Sequence, residues 1–252
     1  MNLRSWTHFE WVLFFVIIPA ILFLIYALPQ EIKDTYFILN TADLWNLQTW
    51  LLYAYTHSQL YPHLVGNIVA YLLALIAVFS FENNRRRFWI IAGSSFLVVP
   101  VITSLLTLGL FRVLESGAKS QGFSAIVAAF IAYTLISLVL WILGDRLGDF
   151  DHPELFRSKM LFYLMCGLLT SIVALIVVGG LDLGMFIILG ESMSNGIAHF
   201  GGFITGLIVF LVYDARTEQR KYFQMTLGIA IGMGILWYGN YIFTLIHAVK
   251  GV

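Results

Sequence analysis

Charge is what this chain has least of. Its 252 residues carry 14 Lys and Arg and 14 Asp and Glu, 11% in all, where a soluble domain has about a quarter. The signs balance, so no basic excess points to nucleic acid. Cysteine is nearly missing too. Cys166 stands alone in an apolar run, which excludes an intramolecular disulfide and makes a poor start for a metal site. It reads as a small core residue. Hydrophobic residues fill the space, at 60% of the chain with a mean hydropathy of +0.87. A globule of this size keeps too much surface against water to hide that much apolar area. The composition therefore excludes a soluble enzyme, a disordered chain and a nucleic-acid binder. It leaves an all-α polytopic membrane protein.

A membrane-crossing helix needs about 20 apolar residues. Seven runs qualify: 11–28, 63–81, 88–110, 122–143, 160–179, 195–213 and 223–247, none of which contains Asp, Glu, Lys or Arg. The first is followed by no small-residue cleavage pattern, so it reads as a retained span. Arg4 and the loops 82–87, 144–159 and 214–222 collect ten of the 14 basic residues on one side. The positive-inside rule makes that side, with the N-terminus, cytoplasmic and leaves the C-terminus outside. Trp11, Trp89 and Trp141 then sit at cytoplasmic span ends as interface anchors. Asp149 and Asp214, also on that side, read as solvated charges. The outer loop 29–62 is long, and Leu44, Leu47, Leu51 and Tyr55 recur in it at helical spacing beside Trp45 and Trp50. That pattern predicts a helix lying in the interface.

Polar side chains at membrane depth are costly and mark function. The second span opens with His63 and Asn67, four residues apart and so on one helix face. The fourth opens Gly122-Phe123-Ser124-Ala125, and the sixth carries Ala198-His199-Phe200-Gly201-Gly202 with Gly206 beyond. All three spans enter from the outside, so His63, Asn67, Ser124 and His199 share one shallow layer. The chemistry available to them is acyl transfer. Ser124 is a nucleophile once a base takes its proton, and His199 is the best-placed base. With no Asp or Glu in any span, the expectation is a dyad. Asn67, His63 and the Ser124 backbone N–H would face the oxyanion. Close helix approach is prepared by Ala125, Ala128, Ala129 and Ala132 on one span and by Gly202 and Gly206 on the other. His57 lies near this set and is given no catalytic role.

These residues resemble the rhomboid intramembrane serine proteases. His63-x-x-x-Asn67 is similar to that family's oxyanion-side pair, with Ser124 in the place of the nucleophile of its GxSG motif. Ala198-His199-x-x-Gly202-x-x-x-Gly206 is similar to its AHxxGxxxG helix. The resemblance covers about residues 11–213 in the right order. Two departures stand out: Ala125 replaces the Gly after the serine, and Trp50 is followed by Leu51 where the family often has Trp-Arg. The resemblance implies a six-span core over 1–213 and an added cytoplasmic loop and seventh helix over 214–252. Loop 180–194 resembles a lid. The implied reaction is hydrolysis of peptide bonds in or near transmembrane helices of other proteins. It involves the lipid bilayer, no cofactor, no metal and no nucleic acid, at a site open to the outer side. The oligomeric state is not legible.

Other classes fit less well. HExxH is absent, and the GxGD pattern of di-aspartyl sites is missed because Gly148-Asp149 follows Arg146-Leu147. A rhomboid-like protein that binds membrane helices without cutting them would usually lack Ser124 or His199. A small seven-span transporter would not predict the four polar residues in one layer, and charge-free spans speak against proton coupling.

Overall fold

The computed structural model describes residues 6–43, 45–82, 84–114, 119–145, 196–217 and 221–250. The expected span 160–179, the loop 180–194 and Cys166 lie outside them. Among the described residues six helices are long and apolar enough to cross a membrane. They belong to α1 (His8–Tyr26), α4 (Leu60–Phe81), α5 (Arg85–Val113), α6 (Ser124–Asp145), α7 (Gly196–Thr217) and α8 (Lys221–Lys250). Between α1 and α4 lie two short helices, α2 (Gln30–Tyr36) and α3 (Leu47–Leu52). A two-residue strand β1 (Leu39–Asn40) pairs antiparallel with β2 (Lys119–Ser120) just ahead of α6. The protein is an all-α polytopic membrane protein, with this small ladder as its one pairing of strands among the described residues.

α1 and α5 begin three residues ahead of their apolar runs because polar residues cap them, Thr7 at α1 and Asn84 at α5. Thr7 and Glu10 form a capping box that starts α1 at His8. The Glu10 carboxylate, fully buried, also accepts from the Arg85 guanidinium (2.8 and 3.1 Å) and Trp89 Nε1 (2.9 Å). Beside it, Glu82 takes Arg87 (2.6 and 2.7 Å), the Tyr133 hydroxyl (2.7 Å) and the Asn84 N–H (2.7 Å). Thus Arg87 is ion-paired and buried at the helix ends, while Arg85, paired to Glu10, stays 46% exposed. Asp214 departs from expectation in the same way. It is fully buried, with Gln224 Nε2 3.2 Å from its carboxylate, because Arg87 and the α7–α8 packing draw it inward.

α6 is the central helix. Its residues from Ala125 to Phe130, with Ala132, Tyr133 and Ile136, are all buried. A helix apolar on every side belongs inside a bundle. α4, α5 and α7 surround it, and α7 comes closest. A Cβ on Gly202 would overlap the Ala125 carbonyl oxygen, and one on Gly206 would lie 2.9 Å from that of Ala129. Glycine at both positions therefore lets the two backbones touch. The methyl of Ala125, extra relative to the resembled motif, is buried in a cluster with Val99, Ala129 and Ala198.

The outer segment docks by polar contacts more than by the predicted apolar stripe. Leu47 is 62% exposed and Trp45 89%, while Thr49, Tyr53 and Ala54 are buried; Leu44 lies outside the described residues. Pro100 explains the docking. It has no N–H, so the Phe96 carbonyl one turn earlier in α5 loses its helical partner, and the Tyr55 hydroxyl donates to it instead. Nearby, the Tyr53 hydroxyl meets Thr103 Oγ1 (2.5 Å), and Ser104 Oγ donates to the Trp50 carbonyl (2.6 Å). Burial pushes the Tyr53 hydroxyl up to about 12 and that of Tyr55 higher, so both stay protonated donors.

Candidate active site

Three helix beginnings meet on the side away from the Glu10 and Glu82 ion pairs. Ser124 is the first residue of α6, and His199 lies in the first turn of α7. His199 Nε2 is 2.5 Å from Ser124 Oγ, and both residues are only 8% exposed. The Gly202 and Gly206 contacts make this approach possible, since His199 is one turn from Gly202. As first residue of the helix, Ser124 presents an N–H with no acceptor in the helical ladder. Phe123 caps that helix, its carbonyl accepting from Ile126 and Val127 (3.0 and 3.1 Å).

Gly122 stands outside the helix, two residues ahead of Ser124, and not on a helix-packing face. Its φ of 144° is one that side chains disfavour. The position a Cβ would take lies 3.5 Å from His63 Nε2 and 3.6 Å from Ser124 Oγ. Glycine thus keeps open a gap bordered by the serine oxygen on one side and the His63 ring on the other. An oxygen leaving the plane of an attacked carbonyl would need such a gap.

Asn67 and His63 are partly buried on α4. Asn67 Nδ2 lies 3.0 Å from Nε2 of His57, and the same Nε2 accepts the Phe123 backbone N–H at 3.2 Å. His57 is 1% exposed and stands edge-on to His63, with ring centroids 5.0 Å apart. Its burial, then the neighbouring His63, push its pKa down to about 3, so the ring is neutral. Its part in the site was not legible from spacing. The signal available was only a second histidine in the stretch 57–67, six residues ahead of His63. Gly122 N–H is likewise held, by the Tyr53 carbonyl at 3.0 Å. The segment 53–57 therefore clamps two consecutive peptide N–H groups leading into Ser124. Among the described residues no group of three His, Cys, Asp or Glu side chains is placed to hold a metal.

Chemically this is a hydroxyl touching an imidazole beside a gap that the His63 ring borders, the parts an acyl transfer would use. Most of the chain is also similar in sequence to a known protein. The chain is similar to the rhomboid protease GlpG of Yersinia pseudotuberculosis serotype I (strain IP32953). The two are 28% identical over 190 residues, covering 73% of this chain and 59% of that protein. The chain thus spans less than two thirds of its relative's length. No family model matches the chain. No solved structure matches it either. The likeness supports the rhomboid family of intramembrane proteases and nothing finer.

Proposed function

We propose that this chain is a rhomboid-type intramembrane serine endopeptidase. The observation that carries the reading is Ser124 Oγ at 2.5 Å from His199 Nε2, on helices that meet through glycine. In the proposed reaction Ser124 Oγ attacks the peptide carbonyl carbon while its proton passes to His199 Nε2. The developing oxyanion faces His63, Asn67 and the Ser124 N–H across the gap left by Gly122. The C–N bond breaks as His199 returns the proton to the leaving nitrogen. Water, deprotonated by His199, then frees the acyl group from Ser124. Domain limits of 1–213 for the catalytic unit and 214–252 for the added helix belong to this reading, as does a lid over residues 180–194.

The substrates would be transmembrane segments of other proteins, cut in or near the bilayer. A helix hides its own carbonyls, so helix-weakening residues such as glycine should favour cleavage. The basic residues put the ion-paired end in the cytoplasm and the Ser124 layer toward the outer side.

The deciding experiment is cleavage of a labelled single-span substrate in proteoliposomes by wild type, Ser124→Ala and His199→Ala, each checked for folding. Cleavage by wild type alone supports the reading. Folded wild type that neither cleaves substrates with weakened helices nor reacts with a fluorophosphonate refutes it, and favours a protein that binds membrane helices without cutting them. Solute uptake into the same vesicles would favour a transporter.

A further inference from the structure

His57 joins two parts of the site. A backbone N–H can only donate. The Phe123 N–H bond at 3.2 Å therefore requires a lone pair on His57 Nε2, and the ring proton must sit on Nδ1. The same lone-pair nitrogen lies 3.0 Å from Asn67 Nδ2. It must be the acceptor there too, which decides which end of the Asn67 amide is nitrogen. His57 Nδ1 is buried and has no partner among the described residues, so the hydrogen bonds that orient the ring are those at Nε2.

The two donors belong to different elements. Asn67 sits on α4, and Phe123 is the residue that caps α6 and precedes Ser124. One hydrogen of the Asn67 amide is committed to His57, which fixes the amide plane and the direction of the second. The Phe123 peptide plane is fixed at the same point, one residue before the serine. We propose that His57 is a positioning residue. Its Nε2 sets the donor face of the site by holding Asn67 and the peptide ahead of Ser124 in register before substrate arrives. This rests on reading the site as an acyl-transfer centre.

The test replaces the acceptor and then restores it. In His57→Leu nothing can accept, whereas in His57→Gln the side-chain oxygen reaches about where Nε2 stands and can accept both bonds. Two readouts are needed in proteoliposomes: kinetics of substrate cleavage, and hydrogen–deuterium exchange of the amides in 120–126. The exchange is expected to quicken at Phe123 in His57→Leu and to stay slow in His57→Gln. On the cleavage side, kcat should fall about 10- to 100-fold in His57→Leu with KM nearly unchanged. His57→Gln should recover most of it. In an Asn67→Ala background the further loss from His57→Leu should shrink, because part of what His57 holds is already gone.

Unchanged Phe123 exchange in folded His57→Leu overturns the proposal whether or not the protein is a protease. So does faster exchange with kcat unchanged, or a loss confined to KM. A His57→Gln variant as impaired as His57→Leu overturns it as well. A wild type without cleavage would refute the protease reading, while the exchange data would still decide the hydrogen-bond role. If His57→Leu does not fold, His57→Asn takes its place, since its oxygen falls one bond short. Wild-type exchange and turnover in that variant would equally overturn the idea.

Discussion

One methyl group added at Gly202 is the sharpest probe of how the helices hold Ser124 against His199. The new Cβ would overlap the Ala125 carbonyl oxygen and lie 2.9 and 3.0 Å from the Ala125 carbonyl carbon and Cα. All three are backbone atoms of α6, and none can rotate away. Ordinary contact begins at 3.4 Å, so α6 and α7 must part by about half an ångström at the carbon and more at the oxygen, close to 1 Å in all. The Ser124–His199 distance of 2.5 Å would then pass the usual hydrogen-bond limit. Misplacement by about 1 Å costs on the order of 100-fold in rate. Overpacking should cost about 1–3 kcal/mol, partly offset by the gain of about 1 kcal/mol when alanine replaces a helical glycine. Gly232 and Gly239 on α8 supply the control, because a Cβ there meets nothing within 4 Å. Gly232→Ala and Gly239→Ala should keep full turnover and unfold slightly later. Gly206→Ala, with its nearest contact at 2.9 Å and another turn away from His199, should fall between. The assay is substrate cleavage in proteoliposomes beside an unfolding titration of each variant. Folded Gly202→Ala with turnover within twofold of wild type would refute the argument that this contact sets the dyad distance.

Other perturbations follow from the same geometry. Tyr55→Phe leaves the Phe96 carbonyl without a donor and should lower stability by about 1–3 kcal/mol in an unfolding titration; no change would mean that the hydroxyl does not latch the outer segment. Glu82→Leu strands the buried Arg87 and should cost about 3–5 kcal/mol, with Glu82→Leu/Arg87→Met recovering much of the loss; a mild single-variant effect would count against the buried pair. The neutral His57 gives a pH signature. The folded ring titrates near 3 and the unfolded one near 6.5, so its contribution is complete above pH 6.5 and lost as pH falls from 6.5 toward 3. The slope is roughly 1.4 kcal/mol per pH unit. Unfolding at pH 7 and pH 5 should diverge more for wild type than for His57→Gln, and equal divergence would reject the assignment.

Six of the seven expected spans were legible, because about 20 apolar residues in a row have few other uses, and the seventh, 160–179, lies outside the described residues. Their starts were not, since Thr7 and Glu10 extend α1 backwards through a capping box that lies outside the apolar run. The layer argument put His63, Asn67, Ser124 and His199 at one depth from orientation and rise per residue. It could not give distances, because these depend on how far Gly202 lets α7 sink onto Ala125. Burial of charge was misjudged at Asp214: periodicity reports which face is apolar, not which carboxylate packs inward against Gln224. His57 escaped for a similar reason. Its place in a chain says nothing of where a ring nitrogen will point, and the bond to Phe123 spans 66 residues. The Tyr55 latch needed both ends in view, a hydroxyl in the outer segment and a carbonyl freed by a proline in α5.

That latch makes Pro100 and Tyr55 one inherited unit. Replace Pro100 with an ordinary residue, and the new N–H competes with the Tyr55 hydroxyl for the Phe96 carbonyl and weakens the latch. Replace Tyr55 alone, and the break in α5 becomes a plain defect. Each change is harmful singly and far less so together, so lineages of this protein should gain or lose the two residues as a pair. A chain that has lost both would have to hold its outer segment, and through Tyr53 the Gly122 N–H, by some other bond.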